Sequence, residues 1–236
     1  MKQINTGIVV DGGFVSREEK HYTVFKTSLF YANDGFTVYD CSNGELVFRV
    51  DSYEPDARDR DELVLMDPHG RCLLTVRKKR PSLHQRWEGF LGERKEGQKA
   101  MFSVRRSSII GRSGMSVQVY ENPGEEYEIE GSYGSRSCNV IDAARRAVVA
   151  EIRRKVDAST NTVLGKDVFS LAVKPGFDGA FAMGLVLVLD QICGGDVVEE
   201  DDGDCYGNGA VDVDHVGQEE EVDCGPLAVD SAALDR

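Results

Sequence analysis

The sequence predicts an all-β fold in which about a dozen short antiparallel strands close into a barrel around one apolar helix. Three observations lead there. Period-two alternation of apolar and polar residues recurs on both sides of turn signals. No long linker interrupts the body of the chain, so residues 20–195 read as one domain. One stretch, "GFDGAFAMGLVLVLDQICGG" (Gly176–Gly195), carries no polar side chain from Gly179 to Leu189.

The elements follow in order. A first strand is read over Tyr22–Tyr31. In "FTVYDCSNGELVFRV", residues 36–50, Phe36 and Val38 alternate before Asp40 and Asn43-Gly44, and Leu46, Phe48 and Val50 alternate after, which is a hairpin. The Asp side chain closes such a turn, and Gly supplies positive φ. The unit returns in "LVLMDPHGRCLLTVRKK", residues 63–79, around Asp67-Pro68-His69-Gly70. A third copy, residues 137–155, places Asn139 and Ile141 on one face, Asp142 in the turn, and Val148, Ala150 and Ile152 after it. The copies are unevenly spaced, which excludes a solenoid array and suits a meander. Further strands are read over Trp87–Leu91, Ala100–Arg106, Met115–Tyr120, Tyr127–Gly131 and Val168–Val173. Glu54–Glu62 is a charged loop; Lys95–Lys99 and Glu121–Glu126 are turns. Strands of this length and spacing suit a sandwich or a barrel.

The last element decides between them. Its apolar run is 11 residues, against about 20 for a membrane span. Asp178-Gly179 suits a helix start and Gly194-Gly195 its end. A helix that is apolar all round must be enclosed on every side, and a closed barrel encloses it. Gly179, Ala180, Ala182 and Gly184 let strands approach it closely. The competing reading is a buried strand pair, or a helix clamped between two sheets.

Charge divides the chain. Residues 196–236 hold 14 acidic side chains and one basic one, Arg236, which accounts for the whole net charge of −13. Residues 1–195 are neutral, so the acidic character belongs to the tail. The organisation read from this is an N-terminal arm (1–19), a barrel domain (20–195) and a disordered acidic tail (196–236). The N-terminus has no signal-peptide h-region, Lys2 excludes myristoylation, and "LDR" is no prenylation box. The expected location is intracellular, in cytoplasm or nucleus or peripheral at the plasma membrane, with its six scattered cysteines reduced.

Signals for catalysis are missing. The four histidines, His21, His69, His84 and His215, are isolated, and no HExxH, G-x-S-x-G, Walker or dinucleotide motif occurs, so neither an enzyme nor a cofactor is expected. From Asp204 a calcium-loop template places Tyr206 and His215 at ligand positions that require oxygen donors, which argues against a calcium site.

Basic clusters are the candidate binding residues: Arg77, Lys78, Lys79 and Arg80; Arg105 and Arg106; Arg153, Arg154 and Lys155. All three groups fall at strand ends. Brought together, they form a face for anionic membrane lipids; direct nucleic-acid binding is not expected. Apart from one another, they pair with neighbouring Asp and Glu as ordinary surface charge. Alternation puts Arg77 and Lys79 on the face opposite Lys78. The acidic tail is a candidate contact for a protein partner, or a mask over the basic face; in the second case truncation raises affinity for anionic surfaces.

"FTVYDCSNGELVFRV", "LLTVRKKRPSLHQRWEGFLGE" (Leu73–Glu93) and "DVFSLAVKPGFDGAFAMGLVLVLDQI" (Asp167–Ile192), in this order, resemble the signature blocks of the LURP-one-related proteins of plants. The resemblance spans roughly residues 20–195. It implies a tubby C-terminal-like fold, a 12-stranded barrel around a central hydrophobic helix shared with phospholipid scramblases. It also implies a non-enzymatic role, with links to pathogen defence and to membrane-tethered transcription factors. The acidic tail departs from the family pattern.

Overall fold

The computed structural model describes residues 10–27, 35–51, 61–81, 85–107, 114–120, 125–157 and 159–193. Its strands are β1 (Lys20–Phe25), β2 (Gly35–Asp40), β3 (Leu46–Asp51), β4 (Glu62–Met66), β5 (Cys72–Lys78) and β6 (Trp87–Leu91). They continue as β7 (Phe102–Arg106), β8 (Met115–Val119), β9 (Glu126–Ser132), β10 (Ser137–Asp142), β11 (Ala147–Arg154) and β12 (Val168–Val173). The one helix among the described residues, α1, covers Gly179–Cys193. Each strand pairs antiparallel with its neighbour in sequence, and β1 pairs with β12 from Lys20↔Val173 to Phe25↔Val168, closing the barrel. Contacts group Met1–Val197 as one unit. The second unit, Val198–Arg236, lies outside the described residues, as does the tail read over 196–236.

Local chemistry explains the hairpins. Asp40 Oδ1 accepts from the Ser42 N–H, Asp67 Oδ1 from His69 and Arg71, and Asp142 Oδ1 from Ala144 and Arg145. Gly44 and Gly70 take the positive φ values that close the first two turns. The three sequence-similar hairpins also share a β-bulge, which falls after Val38, Leu65 and Val140. The bulge leaves one extra residue on the returning strand, and those residues, Val47, Leu73 and Val149, all pack on the core.

Some boundaries differ from the sequence reading. β1 ends at Phe25, short of the strand read to Tyr31, and residues 28–31 of that reading lie outside the described residues. β7 starts at Phe102, two residues later than read, after a turn in which Gln98 donates to the Leu91 carbonyl. Asn139 and Ile141 do share a face, but it is the outer one; Cys138 and Val140 are buried.

The helix is held by position and by shape. Thirteen of its 15 residues are buried, which suits a helix with no polar face. Gly184 passes so close to β5 that a Cβ there would sit 2.3 Å from Leu74 Cδ2. Asp178 caps the start: Oδ1 accepts from the Ala180 and Phe181 N–H groups, Oδ2 from Val10 and Asp11. One carboxylate thus caps α1 and ties the N-terminal arm across that mouth, where Val15 also bridges Asp178. Asp178→Ala removes the cap and strands two N–H donors of the arm, so it lowers stability by about 2 kcal/mol, measurable by urea unfolding.

Burial and the hydrogen bonds of the turns act on pKa in opposite directions. Burial raises Asp40 and Asp67, but hydrogen bonds from Ser42 and Lys20, and from Arg71 and His69, bring both below the ordinary value. Hydrogen bonds from Ser159 and Thr160 hold Asp157 low too. Their stabilisation is present above the unfolded value, about 3.9, and is lost as pH falls through the folded values. Burial pushes Asp178 the other way, so its contribution is already complete below the unfolded value. The urea midpoint therefore falls below about pH 4.

Candidate functional site

Strand parity sorts the charges. β12 ends at the mouth where α1 begins, and α1 runs back through the barrel, so every odd-numbered strand ends at the mouth where α1 ends. Arg77 and Lys78 end β5 and Lys79 and Arg80 follow it, Arg105-Arg106 end β7, and Arg153-Arg154 end β11 with Lys155 next. All three predicted clusters therefore occupy one mouth. They are spread around its circumference, because β5 and β11 lie on opposite sides of the barrel.

Alternation then divides each cluster. Arg77, on the outer register opposite Glu62 and Glu88, lies 3.9 Å from the Glu62 carboxylate. Lys79 pairs with Glu88 at 2.8 Å and Arg80 with Asp61 at 2.8 Å. Arg153 pairs with Glu151 and donates to Asn139. Lys155 donates to Thr23 Oγ1. Arg105 is exposed on the outer register opposite Ser116. These outer cations mostly behave as ordinary surface charge.

The inner register differs. Lys78 stands opposite Trp87, which is 2 % exposed, and Trp87 stands opposite the buried Val104, so Lys78 occupies a core-facing position at the rim. Arg106, opposite Met115, reaches in and donates from Nη2 to the Ile192 carbonyl in the last turn of α1. Arg154, opposite the buried Phe169, donates to the Ser135 carbonyl. Lys26 continues the inward alternation of Tyr22 and Val24, and its Nζ lies 3.1 Å from Asp190 of α1.

Arg136, in the β9–β10 turn, completes the set. Its guanidinium lies 4.1 Å from the Tyr133 ring centre and 4.3 Å from that of Phe169, a cation–π sandwich. Its Nε donates to the Lys166 carbonyl, which ties this turn to the start of β12. Tyr133 donates to Asp190, and burial, reinforced by the Asp190 charge, pushes its hydroxyl pKa well up, so it stays protonated.

Lys26 and Arg106 thus reach the end of α1, at Asp190 and at the Ile192 carbonyl, and Lys78, Arg136 and Arg154 stand at the same mouth. The exposed helix carbonyls add only about half a negative charge. The mouth keeps an excess of positive charge, and Lys78 and Arg105 have no ion-pair or hydrogen-bond partner for their side chains among the described residues. Lys26, Arg136 and Asp190 were absent from the candidates read from the sequence. The available signal was Asp190 itself, a buried acid directly after the apolar run that ends at Leu189, which demands a partner.

Nothing in the described residues assembles a metal site: no group of three His, Cys, Asp or Glu side chains is placed to hold an ion. Burial, with Cys193 adjacent, pushes the Cys138 thiol up to about 11, which keeps it from acting as a thiolate nucleophile. Among the described residues no helix is long and apolar enough to cross a membrane.

A closed twelve-strand meander around a buried helix defines a tubby C-terminal-like barrel. An Arabidopsis thaliana protein solved by X-ray crystallography has the same architecture, with a TM-score of 0.58 and 26% identity over 79% of this chain and 98% of that one. The chain belongs to the LURP-one-related family, whose model matches residues 20–190. Protein LURP-one-related 5 of Arabidopsis thaliana is 68% identical over 195 residues, covering 82% of this chain and 92% of that protein. Protein LURP-one-related 12 of the same plant is 65% identical over 198 residues, covering 84% and 89%.

Proposed function

We propose that this protein is a non-enzymatic module that attaches reversibly to anionic membrane surfaces, phosphoinositide-bearing ones above all, through the mouth where α1 ends. The observation that carries this reading is the gathering of Lys26, Lys78, Arg105, Arg106 and Arg154 at that mouth, where Lys78 and Arg105 have no ion-pair or hydrogen-bond partner for their side chains among the described residues. The other mouth is crossed by the N-terminal arm through Val10, Asp11 and Val15. Lysine and arginine held near an anionic bilayer contribute on the order of 1 kcal/mol each, so three or four at the surface suffice for reversible attachment. Lipid transport through α1 is not part of the reading, because exposing that helix to lipid would require opening the barrel around it.

The test is co-sedimentation of the full chain with phosphatidylcholine vesicles and with vesicles that also carry a phosphoinositide, from low to high salt. Binding to the second alone, weakening as salt rises, is the expected result. No binding to either at low salt would sink the reading. It would leave a protein-partner role, in line with the family's link to defence, as the direction to pursue.

A further inference from the structure

The β11–β12 connection shows a feature that charge does not explain. Val156 and Val163 form an isolated antiparallel bridge and are 43 % and 49 % exposed. Residues directly opposite each other place their side chains on the same face, so the two valines form one small apolar patch. The loop that carries them is ordered by its own backbone: Leu164 N–H donates to the Lys155 carbonyl, Asp157 to Thr162, and Asn161 to Asp157. The other large apolar side chains exposed among the described residues lie at the opposite mouth, where Leu91 ends β6 and Tyr120 follows β8, and the Tyr120 hydroxyl is already bonded to Ser103.

The surroundings point to one occupant. Arg154 and Lys155 precede Val156, Lys166 follows Val163 and is exposed, and the loop leaves from the same mouth as Lys78 and Arg105. Asp157 and the exposed Asp167 are the acids nearby, and Asp157 Oδ1 is engaged by Ser159 and Thr160. Arg136 fixes the loop's exit by its bond to the Lys166 carbonyl. The two valines form a small apolar patch on one face of the loop, with polar residues 157 and 159–162 beyond them and cations on the barrel side, and such a mixed face fits the boundary between headgroups and acyl chains of an anionic bilayer.

We infer that the β11–β12 loop is a membrane-inserting finger: Val156 and Val163 enter the bilayer interface while the cations around them engage lipid phosphates. This rests on the membrane reading above, in which the end of α1 faces the bilayer, and names the loop that enters it. It also adds a component of binding that salt does not screen.

Two variants of the full chain test it. Val163→Trp places a reporter in the loop; the native Trp87 is buried, so its emission stays constant. With phosphoinositide vesicles, the added emission shifts to the blue and is quenched by lipids brominated on their acyl chains. Val156→Ser combined with Val163→Ser binds about tenfold more weakly, from the apolar area no longer removed from water, and the salt slope is unchanged. If Val163→Trp sediments with vesicles but its emission neither shifts nor quenches, the finger is wrong while the membrane reading stands. A shift produced by a soluble protein partner without vesicles would assign the patch to that partner and overturn the inference too. If no form sediments at low salt, both readings fall together.

Discussion

Leu187→Lys leaves no stable barrel. Leu187 is fully buried in the middle of α1, and the helix is buried on all sides. A lysine there must either give up its proton or hold an ammonium among apolar side chains without a partner. The loss is at least about 5 kcal/mol, against a typical total of about 5–15 kcal/mol. Circular dichroism and urea unfolding measure it, and a cooperative transition near the wild-type midpoint would contradict the enclosed helix. A milder variant gives a graded value. Phe181 packs edge-on to Phe102 at 4.9 Å and to Tyr127 at 5.8 Å. Phe181→Ala is therefore expected to cost about 4 kcal/mol through lost contacts and the cavity left behind.

The second large effect is on binding. Lys78→Glu combined with Arg105→Glu is expected to weaken attachment to phosphoinositide vesicles by at least about 30-fold, since two lost attractions of about 1 kcal/mol each already reach that factor. Repulsion from the two new carboxylates adds to it. Stability should change little, because neither side chain has a partner to lose among the described residues. An equilibrium titration at low salt measures the affinity, and the urea midpoint serves as the control. Affinity within twofold of wild type would remove these two residues from the binding surface.

How much of this was legible beforehand depends on range. The hairpins around Asp40, Asp67 and Asp142 were readable because alternation and turn chemistry are local: the carboxylate that closes each turn lies within a few residues of the N–H groups it accepts from. The helix was readable because an unbroken apolar run has few places to go. The bulges at Val47, Leu73 and Val149 were not, since a bulge is a relation between two strands and shows in neither alone. The basic clusters were visible as runs of charge, but their convergence was not. It follows from parity: β5, β7 and β11 are all odd, and a closed meander sends every odd strand to the same mouth. The twelve strands were already legible; applying their parity to the basic clusters was the missing step. The contributions of Lys26 and Arg136 could not be reached by counting. They depend on where Asp190 and the rings of Tyr133 and Phe169 come to rest, and those positions are set by packing between residues far apart in the chain.

The claim that attachment runs through one mouth is tested most directly by reversing equal charge at both ends. Lys78→Glu with Arg105→Glu alters the mouth where α1 ends; Lys95→Glu with Lys99→Glu alters the connection from β6 to β7 at the opposite mouth. Both pairs change the net charge by the same amount. Co-sedimentation of the two double variants with phosphoinositide vesicles at low salt separates position from charge. With a single binding mouth, the first pair loses binding and the second stays close to wild type. Equal losses from the two pairs would mean that the bilayer reads net charge alone, and would contradict a binding mouth.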